Sequence, residues 1–155
     1  MRYWLFKSEP SCFSIKDLAN CTGHRNHWDG VRNYQARNML RDDIKIGDHV
    51  FFYHSSCLVP GIVGTMEVVK AGYPDFTAWD PESEHFDPKS TPENPRWYMV
   101  DVRLIGQFER PFSLQAIKQN PKLQDMVIVR PGNRLSITPV TKEEWREVTR
   151  WCREY

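Results

Sequence analysis

Charge of one sign is missing from this sequence: 21 Lys and Arg stand against 20 Asp and Glu, a formal net charge of +1. A chain so balanced has no global field for gripping a long polyanion, so any such grip must come from a local basic patch. Patterned cysteine is missing too. Cys12, Cys21, Cys57 and Cys152 form no CxxC pair and no framework spacing, which leaves free thiols as the simplest reading. Nor does the N-terminus open on a long apolar run, because Trp4-Leu5-Phe6 gives way at once to Lys7-Ser8-Glu9-Pro10. That beginning predicts neither a secretory leader nor a membrane span, and with them a cytoplasmic protein. Repeats, low-complexity tracts and linkers are also lacking, so residues 1–155 are expected to form one domain.

What the chain does hold is aromatic rings: 6 Trp, 6 Tyr and 8 Phe in 155 residues. A chain of this length buries about two thirds of its unfolded surface, so the rings must be housed in a core or in a site. "YWLFK" reads as a first strand, ended by Ser8-Glu9-Pro10. Ser14 and Asp17 in "SIKDL" announce a short capped helix, and residues 20–29 read as a loop. A helix is expected from about Val31 to Arg41, then strands at Val50 to His54 and through "GIVGTMEVVKAG", where Gly61 and Gly64 hint at a bulge or a close backbone approach. Five prolines punctuate the acidic stretch from Tyr73 to Arg96, an irregular loop long enough to suggest a function. "RWYMVDVRLIGQF" is the strongest strand, and "SLQAIKQN" a short helix. "MVIVR" and "LSITPV" read as further strands, and a last helix opens on the capping box of Thr141 and Glu144. Trp145, Val148, Thr149 and Cys152 recur at helical spacing and are expected to dock on the sheet. Consecutive strands with short connections favour an antiparallel or mixed sheet curled into a small barrel.

Three patterns could carry catalysis or a metal. Cys21, His24 and His27 are spaced like metal ligands but lack an evident fourth, so no metal is expected. His54 neighbours Ser55, Ser56 and Cys57, yet adjacent strand residues point to opposite faces and no third orienting residue is in view. Glu82, Glu84 and Asp87 could pair as acid and base, although in a proline-rich loop acidic residues more often maintain solubility.

The tryptophans point elsewhere. Trp28 precedes an Asp29-Gly30 turn and belongs to no periodic pattern, while Trp97 shares the half-polar face of its strand with Asp101 and Arg103. Two such indoles can sandwich a planar heterocycle, each stack being worth about 1–3 kcal/mol. Stacking cannot tell one base from another, so polar groups must read the ring edge. Asn33, Ser8, Glu9, His54, Ser55 and Asp75 have the right chemistry. The bland alternative is that Tyr34 and Asn33 are solvated, that Arg32, Arg37 and Arg41 form an ordinary charged face, and that Trp97 packs its loop.

"YWLFKSEP", "WDGVRNYQARN", "IKIGDHVFFYHS", "GIVGTMEVVK", "YPD", "PRWYMVDV" and "RLSITPVT", in this order, resemble the EVE domain, a single-domain family of the PUA-like superfamily related in fold to YTH domains. The likeness runs from Tyr3 to about Trp151. It implies an α+β fold, a mixed β-barrel flanked by short helices, with a pocket that reads a modified nucleobase in DNA or RNA without catalysis or a cofactor. Carried over by position, it places Trp28 as a cage residue and Val31, Asn33 and Tyr34 on the pocket helix. Tyr53, His54 and Ser55 fall on the rim strand, and Tyr73, Pro74 and Asp75 at the polar edge. Trp97 becomes the second wall, and Leu135 and Ser136 the closing strand. On this reading a monomer inserts a flipped or single-stranded base between Trp28 and Trp97, while Arg32, Arg37, Arg96, Arg130 and Arg134 contact flanking phosphates. An enzyme using His54 or Asp75 on a nucleotide, or a peptide-binding module, would be the rivals.

Overall fold

Two short runs, "YWLF" and "VFFY", are apolar at every position, which suits strands covered on both faces. In the computed structural model, which describes residues 1–154, they are the centre of β1 (Tyr3–Ser8) and β3 (His49–His54), paired in parallel from Tyr3 opposite His49 to Ser8 opposite His54. Successive side chains point to opposite faces. Trp4, Phe6, Val50 and Phe52 therefore enter one hydrophobic core, while Leu5, Phe51 and Tyr53 enter another on the far side. The first core is capped by α1 (Ile15–Asn20) and by α2 (Tyr34–Asn38) with the π-turn Met39–Asp43 that continues it. The second is capped by α3 (Leu114–Gln119) and α4 (Lys142–Glu154). Trp145 stacks on Phe51 with ring centroids 4.0 Å apart, and Val148 and Cys152 pack into the same core, as the spacing along α4 predicts.

The other strands are β2 (Arg25–Trp28), β4 (Gly61–Pro74), β5 (Tyr98–Ser113) and β6 (Ile137–Val140), and the sheet order is β2-β5-β4-β3-β1-β6. All pairs but β1–β3 are antiparallel, so the sheet is mixed, as expected. It is open and not a closed barrel: β2 and β6 are its two edges and do not pair with each other. The reason is local. Each edge strand has only four residues, and aromatic packing, not a hydrogen-bonded ladder, fills the seam between β2 and β1. There Trp28 lies 5.4 Å from Phe6, 5.2 Å from Phe52 and 6.1 Å from Phe13.

Both capping boxes form. Ser14 accepts from the Asp17 backbone N–H while Asp17 accepts from that of Ser14, and Thr141 and Glu144 do the same at the start of α4. Gly64 sits where β4 changes register against both neighbours. A Cβ there would come within 2.3 Å of the Gly106 carbonyl oxygen, so the close approach expected at this glycine is real. Three expectations need correction. Residues 25–28 form β2 and not a loop, since they pair with Val100–Arg103 of β5. "MVIVR" is a 3-10 turn at Val127–Val129 and not a strand, because Met126 is drawn into the second core. The helix expected from Val31 begins at Tyr34, because the Asn33 side chain accepts from the Ala36 N–H and caps it. No helix among the described residues is long and apolar enough to cross a membrane.

Candidate nucleobase pocket

The unpaired seam between β2 and the β1–β6 edge holds a cavity of about 450 Å³, within the range of small-ligand sites. Lys7 and Ser8 at the end of β1 form one side, with Cys12 and Phe13 from the turn that follows. Asn26, His27 and Trp28 of β2 form the other, continued by Asp29, Gly30, Val31 and Arg32. Ser136, just before β6, and Glu84 and His85 of the proline-rich loop complete the wall. A second cavity of about 470 Å³ lies on the opposite side, between α3 and α4, with Phe112, Trp151, Lys122 and Glu147 in its wall. The seam cavity is the better candidate because it gathers Trp28, two cations, two carboxylates and two imidazoles around one opening.

Of the residues expected in a site, five meet here: Ser8, Trp28, Val31, Arg32 and Ser136. Trp28 is only 6% exposed and belongs both to the first core and to the cavity wall. The Ser8 hydroxyl donates to the Phe13 carbonyl at 2.7 Å, and the Ser136 carbonyl accepts from the Lys7 N–H. The other expected residues lie off the wall. Trp97 is 7% exposed, stacked at 4.9 Å on Tyr34, and donates its indole N–H to Asp87 at 2.7 Å. Two indoles facing each other across open space are therefore not what the fold builds. That indole N–H, with the Lys89 backbone N–H, holds the Asp87 carboxyl below its ordinary range.

Asp75, expected to read the ring edge, is buried and already saturated. Its carboxylate accepts from the Gly30 N–H and the Arg32 guanidinium, each at 2.9 Å, and from the backbone and hydroxyl of Thr77. Burial pushes this carboxyl up, but those four donors pull it further down, so it is held ionised. Asp75 is a brace and not a reader. Arg32 also donates twice to the His85 carbonyl, pinning the long loop onto the turn after β2. Gly30, at φ +80°, lies flat against the His85 imidazole, and a Cβ there would sit 2.5 Å from the ring.

His54 accepts the Ile15 N–H on Nε2 at 3.1 Å, and burial lowers its pKa. It stays neutral, supporting α1, with no lone pair on Nε2 left for a proton. Tyr53 points into the second core, where burial raises its hydroxyl to about 12. Ser55 bonds through its backbone N–H to Ser8, Tyr73 donates to Asp101, and Pro74 pairs with Tyr98 at the end of β4. Glu9 is exposed beyond β1, and Leu135 donates its N–H to Asn133. Arg37 donates to the Arg96 carbonyl, Arg130 to the Asp125 carbonyl, and Arg134 is exposed two residues before Ser136. Cys21 and His24 are spent on the carbonyls of Asp17 and Ala19. Among the described residues no group of three His, Cys, Asp or Glu side chains is placed to hold a metal ion.

Sequence reasoning missed Lys7, Phe13, Asn26, His27, Asp29 and His85. One signal was available: Lys7 is the single cation inside an otherwise apolar strand, and it is half-buried, with burial lowering the pKa of its amine.

The family model described as the EVE domain matches residues 2–151. The chain belongs to the EVE domain family. This EVE domain is 42% identical over 160 residues to thymocyte nuclear protein 1 of Homo sapiens, covering 92% of the chain and 70% of that protein. An uncharacterized protein of Schizosaccharomyces pombe is 42% identical over 158 residues, and the chain spans 66% of its length. Among solved structures, a hypothetical protein from Leishmania major superposes with a TM-score of 0.94 at 45% identity, over 99% of this chain and 96% of that one. The human THYN1 protein, solved in complex with 5-methylcytosine-containing DNA, superposes with a TM-score of 0.91 at 41% identity, over 98% of each chain. The PUA-like fold is thereby established. The cytoplasmic placement is corrected: the vertebrate relatives carry a name that marks them as nuclear, and a polar N-terminus does not separate cytosol from nucleus.

Proposed function

We propose that this EVE domain binds a 5-modified cytosine in DNA as a monomer and without turnover, taking the base, flipped or already single-stranded, into the seam cavity. The observation that carries this reading is the human relative, of the same fold at 41% identity, crystallised with 5-methylcytosine-containing DNA. The cavity agrees in kind: a Trp28 wall for an aromatic guest, apolar contact from Val31 and Phe13 for a methyl group, and polar groups around the opening. Extruding a base costs a few kcal/mol and is offset by stacking and edge hydrogen bonds. Lack of turnover is supported by the engagement of the two groups best suited to acid–base work, with His54 holding α1 and Asp75 holding the turn and the loop.

Titration of oligonucleotides containing 5-methylcytosine or plain cytosine, followed by Trp fluorescence and by product analysis, tests the reading. The modified strand should bind more tightly by about 1–3 kcal/mol, the usual worth of one methyl in an apolar pocket. Trp28→Phe should weaken both while the protein stays folded. Equal binding of the two strands, or a released product, would overturn the proposal.

A further inference from the structure

A pocket that stacks a base must still identify it, and several polar groups on this wall are already occupied. The Ser8 hydroxyl is bonded to Phe13, Arg32 to Asp75 and His85, and the Asn26 side-chain oxygen accepts the His27 N–H. Among the described residues no hydrogen bond engages the Asp29 carboxylate. The His85 Nε2 lies 3.9 Å from it, and its side chain is 29% exposed at the opening. Asp29 is nonetheless well positioned. Trp28 before it is fixed in the aromatic cluster, and Gly30 after it is tied to Asp75 and covered by the His85 ring. The other carboxylate at the opening, Glu84, is exposed on the long loop and has no such anchorage.

Resting on the reader function proposed above, we infer that Asp29 accepts the exocyclic amine of the bound base, so that the cavity selects a 4-amino pyrimidine over its 4-keto counterpart. An ionised carboxylate only accepts hydrogen bonds. It matches the N4 amine of cytosine and opposes the O4 of thymine or uracil, the same logic by which Asp and Glu read cytosine in duplex grooves. Lys7, a donor on the opposite side of the cavity, complements the cytosine carbonyl and ring nitrogen.

Thymine is 5-methyluracil, so single-stranded oligonucleotides bearing one 5-methylcytosine or one thymine in an otherwise identical sequence differ at the ring edge alone. Wild type should prefer 5-methylcytosine by roughly five- to 150-fold, the range expected of one good base-edge contact. In Asp29→Asn, whose amide can donate to O4, and in Asp29→Ala, that ratio should fall towards one, with thymine binding retained as proof of an intact pocket. A wild-type ratio preserved in both variants overturns the role of Asp29 and leaves the reader function standing. No binding of either strand by wild type overturns the reader function, and this inference with it.

Discussion

His54 shows how one side chain can look catalytic in sequence and prove structural. Beside Ser55, Ser56 and Cys57 it suggests a base next to nucleophiles, but its Nε2 accepts the Ile15 N–H and supports the start of α1. Burial favours its neutral form, so the folded-state pKa lies below the ordinary histidine value of 6.5. The sign follows: above 6.5 the stabilising contribution is complete. As pH falls below that value the unfolded chain takes up a proton that the folded one refuses, and stability drops by at most about 1.4 kcal/mol per pH unit. The NMR titration of the His54 ring should therefore have its midpoint below that of a free histidine, and a midpoint above it would show that the Ile15 contact does not hold in solution. Asp48 offers a second test. It is buried, and it accepts from the Trp4 indole and from the backbones of Arg2 and Lys45 at 2.9–3.0 Å. Asp48→Ala should lower stability by about 1–3 kcal/mol for each donor left buried, read as a shift in the urea midpoint.

Among the elements, the loop between β4 and β5 is the least regular and is nevertheless well secured. Asp75 and Arg32 fasten its first end and its middle to the turn after β2, and the Trp97–Asp87 bond ties its far end back to its own middle. Asp75→Asn breaks a buried pair and should cost roughly 3–5 kcal/mol. It should also release residues 76–96, visible as faster amide exchange there while β1 and β3 stay protected. This loop also explains why the pocket was only half legible in sequence. β1, β3 and the two capped helices announce themselves through doubly apolar runs and Ser/Thr-x-x-Asp/Glu boxes, because those signals are local. Asp29 and His85 come together through bonds such as Arg32 to His85, 53 residues apart, which no periodicity records. β2 was hidden because "RNHW" is mostly polar, and only its ladder with β5 makes it a strand. "MVIVR" misled in the opposite direction, having a strand's composition but no edge to join. Trp97, expected as the second wall of a base sandwich, stacks instead on Tyr34.

For the whole molecule, near-neutral net charge limits how it could hold the DNA proposed as its partner. Arg32, Arg37 and Arg130 are bonded to carbonyl groups of the protein itself, whereas among the described residues no side-chain hydrogen bond engages Arg96 or Arg134, and Arg134 is exposed beside the cavity strand, open to a backbone phosphate. The slope of log K against log salt should accordingly be shallow, near that of one to three phosphate contacts, or about −0.7 per contact on single strands. Arg134→Ala should reduce it by about one contact without changing the preference between bases. A steep slope would reveal a basic surface larger than the one these side chains form.

Because β2 and β6 are never stitched together, the rim of the opening bears little of the weight of the fold. The framework is secured by ladders and by two cores elsewhere, so the lip side chains of Lys7, Asp29 and Glu84, which no hydrogen bond engages among the described residues, can be exchanged for others of different size or polarity without undoing it. If the proposed reader function holds, a domain built this way could be retuned from one chemical mark to another by a handful of substitutions at its lip, leaving its architecture untouched.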